Sequence, residues 1–96
     1  MRPSESLERN RQAIRALVAS YSTANPRVFG SVLHGSDTDQ SDLDILVDDL
    51  PGCSLFELGG LLMDLQALLG CQVDLVLPGE ISAKFRDRVL AEARPV

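Results

Sequence analysis

Gly30-Ser31 is followed, ten residues on, by Asp42-Leu43-Asp44, and from Asp37 to Asp49 six aspartates (37, 39, 42, 44, 48 and 49) fall within 13 residues without one lysine or arginine. Two unit charges 4 Å apart at an effective dielectric near 20 repel by about 4 kcal/mol. Carboxylates crowded in this way must diverge into water, take up protons or share a cation. Alternation along a strand aims Asp42 and Asp44 the same way, and such a pair offers hard oxygen ligands to Mg²⁺, which binds through one or two carboxylates plus substrate phosphates. Upstream, a glycine lets a polyphosphate approach the backbone, while the serine hydroxyl and backbone N–H groups can bond its oxygens. Together these residues could hold the phosphate tail of a nucleotide with its magnesium.

Two other chemistries use parts of the same stretch. Asp37, Asp39 and Ser41 alternate as in a calcium loop, but Asp42 stands where that loop needs glycine and Asp48 where it uses a bidentate glutamate. Gly30 to Ser36 begins like a phosphate-binding P-loop, but the lysine that reaches the phosphates is missing. Only the Gly-Ser and Asp-x-Asp reading accounts for the whole segment.

The remainder of the chain sharpens the charge problem. Between Arg27 and Lys84 there is no basic side chain, while Asp and Glu occur ten times, and the net charge of the 96 residues is −5. That balance excludes a surface built to grip nucleic acid directly. An apolar content of 45% in 96 residues suits one domain, residues 1–96, with a small core. No apolar run approaches the ~20 residues of a membrane span, and the N-terminus lacks a secretory apolar core. Cys53 and Cys71 lack zinc-pair spacing and read as small buried hydrophobes in a reduced, cytoplasmic protein.

The elements that must position the reactive residues follow from periodicity. Leu7, Ile14, Leu17, Val18 and Tyr21 form one stripe of a helix from Ser4, its cap, to about Tyr21, with Arg9, Arg11 and Arg15 opposite. Asn25-Pro26 breaks it, and Arg27-Val28-Phe29 is a short strand entering the glycine turn. Leu43 to Val47 is the next strand. Pro51-Gly52 turns the chain, and Ser54 to Glu57 has the form of a capping box opening a helix that buries Leu55, Leu58, Leu62, Leu65 and Leu69 and stops at Gly70. Gly59-Gly60 within it implies close packing against the sheet or a local kink. Gln72 to Leu77 is a third strand, interrupted by Asp74, which needs a partner if ionised among buried neighbours. A last helix runs from about Ser82 to Ala93, with Phe85, Val89 and Leu90 inward and Lys84, Arg86 and Arg88 outward. This order indicates an α/β fold, a small sheet backed by helices.

With Val28-Phe29 before it and Ile45-Leu46-Val47-Asp48 after it, the pattern GS-x10-D-x-D resembles the signature of minimal nucleotidyltransferases, the MNT group of the DNA polymerase β-like superfamily. The helix with Leu7-Glu8-Arg9-Asn10-Arg11, the segment Asn25 to Ser31, the Asp74 strand and the ending Arg88 to Ala93 extend the resemblance to MNT antitoxins over essentially the whole chain. It implies a mixed sheet packed with helices and transfer of AMP from ATP to a hydroxyl, with pyrophosphate leaving. In such antitoxins the acceptor is a tyrosine of a partner HEPN-domain toxin, so a hetero-oligomer is implied. Carried over by position, Gly30 and Ser31 hold the triphosphate, Asp42 and Asp44 bind magnesium, two ions in the usual scheme, and Asp74 is the third carboxylate, binding metal and assisting removal of the acceptor proton. The chain departs from the family where GSRARG is common: Val32, Leu33 and His34 replace the basic triplet. His34 then reads as a solvent-facing turn residue, and Arg27, Lys84 or Arg88 is left to compensate. The alternative to catalysis is an antitoxin that silences its partner by binding alone.

Overall fold

The computed structural model describes residues 1–96. Its elements run α1 (Pro3–Arg9), α2 (Arg11–Ser20), β1 (Thr23–Phe29), α3 (Ser31–His34), β2 (Leu43–Asp49), α4 (Leu55–Leu69), β3 (Val73–Val76), a 3₁₀ turn (Pro78–Glu80), α5 (Ala83–Glu92) and β4 (Arg94–Pro95). The four-stranded sheet has the order β3-β2-β1-β4. It is mixed: β1 lies antiparallel to both β2 and β4, while β2 and β3, joined through α4, are parallel.

Alternation gives the sheet two unlike faces. Val28, Leu43, Ile45, Val47 and Val73 point to one, where Leu7 of α1, Ile14 and Val18 of α2 and Leu61, Leu65 and Leu69 of α4 close the main core. Cross-strand register puts Arg27 opposite Leu46, Phe29 opposite Asp44 and Asp44 opposite Asp74, so these residues share the other face. Leu46 is fully buried there, while Asp44 is only half-buried. One face is thus a packed core and the other carries the charged residues.

Several expectations change in detail. The first helix is two: at Asn10 the backbone leaves helical angles, and the Asn10 side chain donates to the Ser6 carbonyl at 2.8 Å. Arg2, not Ser4, precedes the first turn. Asn25-Pro26 does not end a helix, because Tyr21 already caps α2; the pair forms an irregularity within β1, with Asn25 at φ 55°. Proline has no N–H for a ladder, so a bulge is one of the few places a strand accepts it. Ser54 does cap α4, accepting from the Glu57 N–H at 3.2 Å, and Gly70 does end it in the left-handed conformation. The capping box is only half made, since the Glu57 carboxylate turns instead to Ser22, accepting from its N–H and hydroxyl.

The buried stripe of α4 is also displaced. Leu61, Leu65 and Leu69 are buried, Leu58 and Leu62 are half-buried, and Leu55 is 86% exposed. Leucines at seven of fifteen positions supply more than one apolar stripe, so periodicity alone does not choose the face. Gly60 does mark a close approach, but to the Tyr21 ring rather than the sheet, and Gly59 touches nothing. Phe85 and Leu90 of α5 are exposed and Val89 is half-buried, because no layer covers that side. Arg86 turns inward, donating to the carbonyls of Pro78 (3.0 Å) and Ile81 (2.8 Å). Both cysteines are half-buried and free, not core residues. No helix is long and apolar enough to cross a membrane.

Candidate active site

β1 delivers the chain to Gly30, whose backbone (φ 74°, ψ −149°) lies in a region open essentially to glycine alone. A Cβ there would overlap Asp44 Oδ2, so the glycine is required twice: for the turn, and for the approach of the carboxylate. Ser31 opens the short helix α3, half-buried, and Gly35 at φ 72° ends it. Asp44 therefore lies against the Gly30 backbone. Adjacent parallel strands place Asp74 directly beside it.

These carboxylates carry the strongest electrostatic signal in the chain. The Asp44 carboxyl is pushed up to about 6, first by burial, then by the charge of Asp74 and its contact with that carboxyl, and last by the charge of Asp42. Asp74 is exposed on β3, the edge strand, so it is not the Asp among buried neighbours that its strand suggests. Asp42 precedes β2, exposed, at the rim of a polar cleft of about 420 Å³ lined also by Ser41, Cys71 and Gln72. Burial first, and then the Asp42 charge, push the Cys71 thiol up. None of the three carboxylates enters an ion pair.

Asp44 and Asp74 thus form a pair beside Gly30, with Asp42 acting on Asp44 from the cleft rim. The three do not make a cluster already arranged to hold an ion. The donor set nevertheless fits a hard divalent cation: it is all carboxylate oxygen, uncompensated, and close enough to shift a titration. Magnesium needs only one or two carboxylates when phosphate oxygens and water fill the other positions.

The other aspartates have different tasks. Asp37, which reads from sequence as a solvated loop residue, is buried and accepts from the Ser4 N–H at 2.9 Å. Asp48 pairs with Arg27 at 2.5 Å, so Arg27 is committed away from any phosphate. Gly30 also lines a cavity of about 220 Å³ that α5 closes, with Phe29, His34, Phe85, Arg88 and Glu92 among its lining. His34 is exposed, as its sequence context suggests, yet its Nε2 stands 3.3 Å from Glu92 Oε2. The place of Arg88 and the role of Glu92 are not legible in the sequence, since nothing in local spacing brings a C-terminal helix to a glycine some sixty residues earlier.

The nucleotidyltransferase domain family matches residues 10–96. MJ0435 of Methanocaldococcus jannaschii, provisionally named a protein adenylyltransferase, is 31% identical over 83 residues, 86% of this chain and 89% of that one. The protein adenylyltransferase MntA of Thermococcus cleftensis is 42% identical over 65 residues, 68% of this chain and 66% of its own. A solved structure described provisionally as a minimal nucleotidyltransferase aligns at TM-score 0.87 and 38% identity over 97% of this chain and 95% of its own. The crystal structure of a toxin-antitoxin with AMP-PNP aligns at TM-score 0.75 and 24% identity over 90% of this chain and 71% of that one, a likeness of fold. A match that begins at Asn10 and continues through the Gly-Ser turn, both Asp strands and α5 means that the chain belongs to the nucleotidyltransferase domain family, as a minimal nucleotidyltransferase.

Proposed function

We propose that the domain transfers AMP from ATP to a hydroxyl, a tyrosine of a partner HEPN-domain toxin, and so acts as an antitoxin. The observation that carries this is the uncompensated Asp44–Asp74 pair against the Gly30 backbone: a carboxyl pushed up to about 6 by burial and by its acidic neighbours is a group whose ionised form a cation would stabilise. Support for the protein acceptor comes from relatives named protein adenylyltransferases, and for the toxin from the fold shared with a toxin-antitoxin structure.

In this reading Asp42, Asp44 and Asp74 would hold magnesium, and Gly30 and Ser31 would hold the triphosphate. Bound magnesium supplies charge stabilisation for the attacking and leaving oxygens of an in-line displacement. The acceptor oxygen bonds to the α-phosphorus, the bond from that phosphorus to the bridging oxygen breaks, and pyrophosphate leaves with the electron pair. Asp74, exposed on the edge strand, is the carboxylate an acceptor meets from outside, and it receives the hydroxyl proton. Asp44, tucked against Gly30, anchors the nucleotide end.

The partner completes the site. On α4, Leu55 and Phe56 are 86% and 93% exposed, an apolar area close to acidic Glu57 and Glu80, which suits a partner surface with an apolar centre and basic rim. The test is transfer of label from [α-³²P]ATP to the product of the neighbouring gene. The wild type labels it, and Asp44→Asn and Asp74→Asn do not. Absence of wild-type labelling, with toxin still neutralised in a growth assay, would replace this reading with silencing by binding alone.

A further inference from the structure

Resting on the nucleotide-binding reading above, we infer that His34 and Arg88 are the phosphate-facing donors of this domain, and that Glu92 occupies them until a polyphosphate displaces it. The three side chains line one cavity with Gly30. Glu92 gives one oxygen to each neighbour: Oε2 to His34 Nε2 and Oε1 to Arg88 Nε, both at 3.3 Å. Two oxygens of one anionic group spread over two donors is also the way a phosphoryl group would engage them.

Elimination points to the same pair. No Lys or Arg lies between Arg27 and Lys84, and the basic side chains that line the cavity beside Gly30 are His34 of α3 and Arg88 of α5. Arg27 is taken by Asp48, its side chain only 14% exposed. Lys84 lies over the Phe85 ring, 5.8 Å from its centroid, and is not among the residues lining the cavity. Arg88 and His34 do line it, and their ties to Glu92 are weak: the side chains are 75% and 55% exposed, and Glu92 39%. Exposed pairs of this kind contribute little, so a triphosphate carrying several charges outcompetes one carboxylate. The cationic function that a basic triplet after Gly-Ser would serve is then divided between α3 and α5. Until ligand arrives, Glu92 keeps those donors from attracting other anions.

Calorimetric titration of the full chain with inorganic tripolyphosphate and, separately, with ATP plus Mg²⁺ tests this. Arg88→Ala weakens both ligands roughly tenfold or more, the scale of a lost charge-assisted hydrogen bond, and His34→Ala weakens them by about threefold. Glu92→Gln, which removes the competing charge and keeps the shape, tightens tripolyphosphate by about two- to fivefold. Arg9→Ala, the same charge change on the exposed face of α1, stays within about twofold and serves as the control. An Arg88→Ala or His34→Ala chain that binds like Arg9→Ala, or a Glu92→Gln chain that binds more weakly than wild type, overturns the inference while leaving ATP binding standing. Wild type that takes up neither ligand overturns this inference and the nucleotide reading together.

Discussion

Replacing Asp44 by asparagine should remove activity and, in the ligand-free chain near neutral pH, raise stability. Asp44 is held at about 6 against an ordinary 3.8, so its ionised form is disfavoured in the folded state. For a carboxyl shifted upward, the stabilising contribution is fully present below the unfolded value near 3.8 and is lost as pH rises through about 6. Above that pH the folded chain carries the whole repulsion among Asp44, Asp74 and Asp42. The shift is equivalent to roughly 3 kcal/mol as an upper limit. Asp44 is only half enclosed and water screens its neighbours, which reduces the realised effect to about 1–2 kcal/mol.

Asparagine keeps the shape and has no charge at any pH. Asp44→Asn should therefore melt about 5–15 °C above wild type at pH 7.5, given the 4–8 °C per kcal/mol of domains this small. The gap should close below about pH 4, where the wild-type carboxyl is neutral in both states. Magnesium should narrow it from the other side, raising the wild-type melting temperature and leaving the variant unmoved. Circular-dichroism melts of both chains from about pH 3 to 8 at low salt, with and without MgCl₂, supply the measurement. Asp74→Asn should give part of the same gain, and the double variant less than the sum, since either change relieves the same repulsion. A variant that melts at or below wild type at pH 7.5, or a gap that is constant with pH, would refute the reasoning.

Three further outcomes follow from particular residues. Gly30→Ala should cost about 1–3 kcal/mol in denaturant unfolding, because its backbone region is glycine's alone, and should also lower ATP affinity by driving Asp44 from the turn. Asp37→Ala should destabilise by about 1 kcal/mol by leaving the Ser4 N–H without its acceptor. Burial pushes the Asp37 carboxyl up, but the bonds from Ser4 and the Arg2 charge outweigh it, so the net shift is downward. Its stabilising contribution is therefore present above the ordinary carboxylate range and lost as pH falls, and the Asp37→Ala deficit should shrink in acid, the opposite trend to Asp44. Phe56→Asp should abolish co-purification of the toxin partner proposed above while ATP binding, measured on the isolated chain, is unchanged.

What sequence made legible was what depends on local rules. Alternation in Leu43–Val47 marks β2 and its two faces, and the Ser54 and Gly70 signals bound α4; at Gly30 the sequence points to a close approach by polyphosphate, whereas the group against its backbone is the Asp44 carboxylate. What stayed hidden depends on tertiary placement. Asp37 looks like any loop aspartate until α1 is laid beside it. Arg94-Pro95 joins the sheet as β4 only because β1 is there to receive it, with the Val96 N–H donating to Pro26 and Arg15 holding the Val96 carbonyl at 2.9 Å. The exposure of Leu55 is not legible because leucine occupies nearly every turn of α4. The apolar run around Asp74 implies buried neighbours; strand order, which local pattern does not encode, puts it exposed on an edge.

The charge problem of the acidic stretch is resolved unevenly, and the unevenness is itself informative. Of the ten acidic residues between Arg27 and Lys84, six have internal partners: Asp37 has the Ser4 amide, Asp39 the N-terminus, Asp48 Arg27, Glu57 Ser22, Asp64 the Tyr21 hydroxyl, and Glu80 the Leu77 amide. Asp49 ends β2 in the open, where water suffices. Three are left over: Asp44 and Asp74, which two parallel strands bring together, and Asp42, exposed at the cleft rim just before β2. A fold that satisfies its other carboxylates locally and concentrates the remaining repulsion at one place holds there a free energy that a cation can release. The upward shift of Asp44, set first by burial and then by Asp74 and Asp42, marks that place: the free energy released when a positive charge relieves the repulsion adds to the affinity for that charge.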